Sequence, residues 1–266
     1  MAQLDSTPDR EHAPLALVTG AGRGLGRELA RALAETGASV ALNFRASREG
    51  AESLAAELNA RHGAGTAHAF AADVTAPEQV RELFAGAEAH FGRPVTVLVN
   101  NALPEFSFNG DARKKTAEID YAAFEGQLAG ILGGALATVQ AALPGMRESG
   151  GGSVINIGTN LFQHPVVPYH DYTAAKAALL SLTRTLAAEL GPDGIRVNMV
   201  SGGLLRTTDA SAATPEAVFD LIAAGTPLRR VTTPAEFADA AVFFAQPASR
   251  AVTGQNLIVD GGLVMG

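Results

Sequence analysis

Leu15-Ala-Leu-Val-Thr-Gly-Ala-Gly-Arg-Gly-Leu-Gly26 decides the fold. Its first part is a short apolar run with the length and content of a buried strand. Its second part, Thr19 to Gly26, is a glycine-rich turn, and a helical stretch follows over 24–35. Gly20, Gly24 and Gly26 let the backbone turn tightly and come close to a pyrophosphate. The helix behind the turn offers free N–H groups and a positive dipole end. Gly37 stands where a helix-ending glycine belongs.

The same alternation continues outward. Apolar runs at 39–44, 66–71, 95–99, 153–157, 195–200 and 256–259 read as strands. Helical patterns fall at 46–61, at 77 onward, at 121–147, 171–190, 215–224 and 234–245. Pro77 sits at a favoured first-turn position. Strands alternating with helices imply a parallel sheet covered on both faces. Right-handed crossovers make it doubly wound, so the expected fold is a Rossmann-type α/β sheet of about seven strands. Ligands bind such sheets beyond the carboxyl ends of the strands.

The totals bound the chain further. It has 266 residues, 47% hydrophobic and 18% charged, enough for a substantial core. A net charge of −7 argues against general affinity for nucleic acid or an anionic membrane. With no cysteine, disulfide and thiolate chemistry are excluded. No apolar run is read as a transmembrane segment, and residues 1–14 lack the apolar centre of a secretory signal. They are read as a loose tail, 15–266 as one domain, and the protein as cytoplasmic. No His/Asp/Glu cluster has metal-ligand spacing.

The glycine spacing is Thr-Gly-x-x-x-Gly-x-Gly, and here the chain resembles the short-chain dehydrogenase/reductase family over residues 15–262. The resemblance implies a nicotinamide dinucleotide bound by Gly20, Arg23, Gly24, Leu25 and Gly26. The second strand ends Asn43-Phe44-Arg45, without the acid that would hold a ribose diol and repel a 2′-phosphate. Arg45 and Arg23 suit that phosphate, with Ser47 as a hydroxyl donor near Phe44, so NADP(H) is the expected cofactor. Asp73-Val74 resembles the pair beside the adenine. Asp73 or Thr75 is equally suited to cap the helix opening at Pro77. Asn100-Asn101-Ala102 resembles the family's Asn-Asn-Ala-Gly, with Leu103 in place of the last glycine.

Tyr172-Thr-Ala-Ala-Lys176 lies in a helical pattern, so the phenol and ammonium share one face. Tyrosine ordinarily titrates near pH 10. At an effective dielectric of about 20, a charge several Å away is worth on the order of 3–4 kcal/mol, or roughly two to three pKa units. Lys176 is therefore expected to favour phenolate, and the resemblance makes Tyr172 the acid–base group. Thr159, thirteen positions earlier, stands where the family has serine. Ile131 stands where the family has a relay asparagine, with Gln127 one turn earlier as a polar neighbour. After the sixth strand, Gly202 replaces a proline. Backbone at Gly203 and Leu205, with the Thr207 hydroxyl, resembles the family's contacts to the nicotinamide amide and pyrophosphate.

The substrate end is expected from Leu103, Phe106, Asn160, Phe162 and Leu204, with Pro104, Leu161, His164 and Leu205 nearby. Asp111-Ala-Arg-Lys-Lys115 reads as a solvated loop, with a flap formed by Phe106 and Phe108 as the alternative. The resemblance implies NADPH-dependent reduction of a ketone, similar to the 3-oxoacyl-[acyl-carrier-protein] reductase branch. Two readings stay open beside it: an NADP-dependent alcohol dehydrogenase, and a weakly active cofactor-binding regulator. The partners expected are a small carbonyl or alcohol and further copies of the chain, as a homodimer or homotetramer. No nucleic acid and no membrane are expected.

Overall fold

Residues 13–265, apart from 107, 207, 209, 210 and 213, are described by a computed structural model. Most of the expected tail, 1–12, lies outside the described residues. The strands are β1 (Leu15–Val18), β2 (Ser39–Phe44), β3 (Ala67–Ala71), β4 (Val95–Asn100), β5 (Gly152–Thr159), β6 (Ile195–Gly202) and β7 (Asn256–Val259). All pair in parallel, in the order β3-β2-β1-β4-β5-β6-β7. The order reverses beside β1 and β4, which opens the crevice at their carboxyl ends.

Helices α1 (Gly24–Glu35), α2 (Arg48–His62) and α8 (Pro234–Ala245) cover one face. Leu29, Leu33, Leu54, Phe237 and Phe244 bury there against Val18, Val40 and Ile155. Helices α3 (Pro77–Phe91), α5 (Gly134–Glu148) and α6 (His170–Leu190) cover the other. Leu83, Phe84, Val139, Met146 and Leu186 pack there on Leu17, Leu98 and Val197. Each such side chain, fully buried, stabilises by roughly 1.5–3 kcal/mol. The remaining helices are α4 (Tyr121–Gln127) and α7 (Glu216–Gly225).

Two sequence expectations change. The helical stretch at 121–147 is continuous but not uniform, because a π turn over Leu128–Gly133 joins α4 to α5. Such turns insert a residue locally and gather at functional sites. The joined run, Tyr121–Glu148, has 28 residues and a mean hydropathy of 1.4. By length and composition alone it would pass for a membrane span, which the sequence reading did not foresee. Its apolar side instead packs against β4, α3 and α6.

Polar residues tie the strands together at their carboxyl ends. Thr138 Oγ1 donates to Asn100 Oδ1 at 2.7 Å, and Asn100 Nδ2 donates to Asn156 Oδ1 at 2.9 Å. Asn156 Nδ2 then donates to Thr183 Oγ1 at 2.9 Å. All four are buried. Satisfied in this way they avoid the cost of an orphaned buried dipole, and they lock β4, β5, α5 and α6 in register.

Candidate active site

The glycine turn is shaped from β4. Asn101 N and Ala102 N both donate to Thr19 Oγ1 at 2.9 Å. Asn101 Nδ2 donates to Thr19 O at 2.9 Å and to Gly20 O at 3.3 Å. Gly20 and Gly24 take φ of +66° and +52°. A Cβ on Gly26 would stand 2.2 Å from Gly20 O. Arg23, exposed, precedes α1 without a side-chain cap. A backbone-only cradle at an uncapped helix N-terminus fits a dinucleotide pyrophosphate. The sequence reading passed over Gly22. A Cβ there would meet Ser47 O at 2.6 Å, so this glycine lets the turn touch the start of α2.

Three arginines lie in or beside the turns that follow β1 and β2. Arg23 and Arg45 are exposed, and the Arg48 guanidinium lies 5.2 Å from the Phe44 ring centroid. Arg48 was not singled out from sequence. Although β2 ends without an acid, β3 supplies one nearby: Arg45 Nη1 is 3.6 Å from Asp73 Oδ2. Asp73 Oδ1 also accepts from Thr75 N and Oγ1. Burial works to raise the Asp73 carboxyl, but the Thr75 hydrogen bonds and the Arg45 charge outweigh it and hold it below its usual range. The alternative reading of Asp73 or Thr75 as a helix cap does not hold, since Ala76 precedes α3 without a side-chain cap. Val74 instead packs on the π-turn side, where a Cβ at Gly134 would lie 3.0 Å from its Cγ2. Ser47 precedes α2, also without a side-chain cap.

Thr159, Tyr172 and Lys176 meet at the ends of β5 and α6, all buried. Lys176 Nζ donates to Ile157 O at 2.5 Å and lies 5.8 Å from the Tyr172 ring centroid. Burial pushes the Tyr172 phenol up to about 12, against a hydrogen bond with Thr159 that acts to lower it. Burial also lowers the Lys176 ammonium to about 8. Desolvation thus works against the expected phenolate and keeps Tyr172 protonated, while Lys176 stays charged below about pH 8. Thr159 Oγ1 also accepts from Leu161 N at 3.3 Å.

Ile131 lies in the π turn, in an apolar cluster with Tyr172, Ala175, Leu179 and Met199. A small cavity beside it is lined by Asn100, Thr138 and Lys176, so its polar wall comes from elsewhere in the fold. Gln127 is buried; its Nε2 donates to Glu105 O at 3.4 Å, and its Oε1 has no partner among the described residues.

The substrate-side expectations divide. Leu103, Phe106, Phe108 and Phe162 pack against the cluster that contains Tyr172. Asn160 Nδ2 donates to Asp260 Oδ2 at 2.9 Å, tying β5 to the C-terminal segment, while its buried Oδ1 has no partner among the described residues. Gly202 is the last residue of β6 rather than part of a loose turn, and Phe237 leaves no room for a Cβ there. Gly203 and Leu204 are half-buried, and Leu205 packs on the α8 side of the core. Thr207 lies outside the described residues. The Asp111–Lys115 stretch is not simply solvated, because Arg113 Nη2 bonds both carboxylate oxygens of Asp171, at 2.8 and 2.6 Å. This contact spans 58 residues, and no local pattern announces it.

A parallel sheet ending on a backbone cradle defines the class: a Rossmann-type nucleotide-binding fold. A family model described as Enoyl-(Acyl carrier protein) reductase matches residues 20–264. The chain is 36% identical to a (3R)-3-hydroxyacyl-CoA dehydrogenase of Canis lupus familiaris, over 98% of this chain and 100% of that one. It is 33% identical to the 3-oxoacyl-[acyl-carrier-protein] reductase FabG of Staphylococcus epidermidis, over 94% and 98%. Among solved structures, a blue fluorescent protein from a metagenomic library, in complex with NADPH, aligns with TM-score 0.83 and 34% identity, covering 95% and 98%. The chain belongs to the short-chain dehydrogenase/reductase family and is an oxidoreductase of that family.

Proposed function

We propose that the protein reduces a ketone, of 3-oxoacyl or related type, to a secondary alcohol, with NADPH as the hydride source. The observation that carries this reading is the burial of Tyr172 beside Thr159, with the buried Lys176 ammonium 5.8 Å from the Tyr172 ring. When bound, the cofactor supplies hydride to the carbonyl carbon. Gly20, Gly24, Leu25 and Gly26 hold its pyrophosphate, and Asp73, Val74, Asn100, Asn101 and Ala102 line the path beyond. Arg23, Arg45, Ser47 and Arg48, beside Phe44, receive the 2′-phosphate. Gly203 and Leu205 border the nicotinamide.

Tyr172 Oη gives its proton to the carbonyl oxygen as negative charge develops there. A phenol held protonated by burial is ready for that task at neutral pH. The Thr159 hydroxyl holds the same oxygen in line. Lys176, anchored on Ile157 O, keeps two ammonium hydrogens for the ribose side and steadies the phenolate left after transfer. The same groups run in reverse oxidise a secondary alcohol. The protein acts in the cytoplasm as a homodimer or homotetramer.

The test is NADPH oxidation followed at 340 nm with a panel of ketones and 3-oxoacyl thioesters. Turnover with NADPH well above that with NADH supports the reading. Tight NADPH binding without turnover of any carbonyl or alcohol would sink it, and equal use of NADH would remove the role given to Arg45.

A further inference from the structure

A carbonyl must come within hydrogen-bond reach of Tyr172 Oη, about 2.6–3.2 Å, to take its proton. In the arrangement seen, aromatic rings crowd the Tyr172 side chain. The Phe106 ring lies 4.9 Å from the Tyr172 ring, tilted by 31°, and the Phe108 ring stands at 5.6 Å, nearly perpendicular. Only 7% of Tyr172 is exposed. Arg113 covers Phe106, its Cζ 4.2 Å from the ring centroid. Asp171, the residue before Tyr172, holds that guanidinium with both oxygens, and its side chain is only 4% exposed. Two further ties fix the segment on the catalytic helix and the π turn. Gly110 N donates to Tyr169 Oη at 2.8 Å, and Pro104 fills the space that a Cβ on Gly130 would need.

We propose that Arg113, paired with Asp171 and laid over Phe106, sets the size limit of the carbonyl substrate by holding Phe106 against Tyr172. The inference rests on Tyr172 being the proton donor. A slim ketone reaches Oη with a small shift of the ring. A bulky one must displace Phe106, which breaks its contact with the Arg113 cation. Displacement also draws Arg113 off a buried carboxylate, and an unpaired buried charge is strongly unfavourable. Bulky substrates alone bear that cost. Arg113 and Phe106 are thus specificity-determining residues, and Asp171 is their anchor.

The experiment compares wild type, Phe106→Ala, Arg113→Gln and Arg113→Lys on a series of ketones of increasing bulk. Phe106→Ala is expected to raise the ratio of kcat/KM for the bulkiest over the slimmest ketone by roughly tenfold. Arg113→Gln shifts it the same way by less. Arg113→Lys, which keeps charge but loses the planar fork, falls between that variant and wild type. NADPH affinity, read by its fluorescence, stays unchanged in all three. A second readout needs no turnover: nitration of Tyr172 by tetranitromethane, located by peptide mass. Tyr172 is expected to react several-fold faster in Phe106→Ala and Arg113→Gln than in wild type, while exposed Tyr121 reacts alike in all. An unchanged substrate ratio, or unchanged Tyr172 nitration, in folded Phe106→Ala and Arg113→Gln overturns the inference. If Tyr172→Phe turns over ketones as fast as wild type, the reading of Tyr172 falls instead.

Discussion

Tyr172 and Lys176 are coupled through what surrounds them more than through each other. A phenol at about 12 and an ammonium at about 8 mean that burial disfavours charge on both. Proton donation needs the hydroxyl itself, so Tyr172→Phe is expected to lower kcat by roughly 10²–10⁴-fold. NADPH affinity, read by fluorescence titration, should move by less than about threefold, since the ring and its packing remain. Thr159→Ser keeps the hydroxyl and most of the rate, whereas Thr159→Ala loses it. Lys176 gives a pH signature of its own. In the proposed reaction it would bind the cofactor as the cation, and in the free protein that cation is lost as pH rises through about 8. NADPH affinity should therefore be highest below pH 8 and weaken above it, and the inflection should vanish in Lys176→Met. A flat profile from pH 6 to 10 in wild type would contradict this assignment.

At the scale of elements, the turn between β1 and α1 has the least room for change. A Cβ at Gly26 would stand 2.2 Å from the Gly20 carbonyl, a backbone atom with no flexible end to give. Gly26→Ala must push the turn off α1, at a cost of about 1–3 kcal/mol in urea denaturation, and it should weaken NADPH binding more than tenfold. Native affinity in that variant would mean that the pyrophosphate sits elsewhere. This turn was legible in the sequence because its glycines and flanking strand are contiguous. The doubly wound parallel sheet followed from the alternation of short apolar runs and helices, while its strand order is known only from the structure. The π turn at Leu128–Gly133 was not legible, since one extra residue in a single turn barely disturbs an apolar periodicity. Nor were the pairs Arg45–Asp73 and Arg113–Asp171, whose partners meet only when distant strand ends and helices converge. The same limit explains the Tyr172 proton. Counting the neighbouring ammonium from the i, i+4 spacing was sound, but burial under Phe106 and Phe108 is tertiary and outweighs it.

At the scale of the whole molecule, the joined run Tyr121–Glu148 serves two sides. Inward it carries Ile131 and buried Gln127, next to the catalytic cluster. Outward it leaves Tyr121 70% and Leu136 39% exposed, while Phe243 on α8 and Leu257 on β7 are each 39% exposed at the far side of the sheet. Two separate exposed apolar patches would suit the proposed assembly if it uses two kinds of interface, as a tetramer built from dimers does. Placing a carboxylate in either interface would bury an unpaired charge and break that contact. In sedimentation velocity at micromolar concentration, Leu136→Glu and Leu257→Glu should each convert a tetramer to a dimer, and the double variant should give a monomer. Because Leu136 follows the π turn by one helical turn, Leu136→Glu should also lower kcat, while Leu257→Glu leaves the rate within about twofold. A wild-type protein that sediments as a monomer would refute both interfaces. Equal losses of rate in the two variants would show that assembly alone, and not the position of the π turn, supports the site.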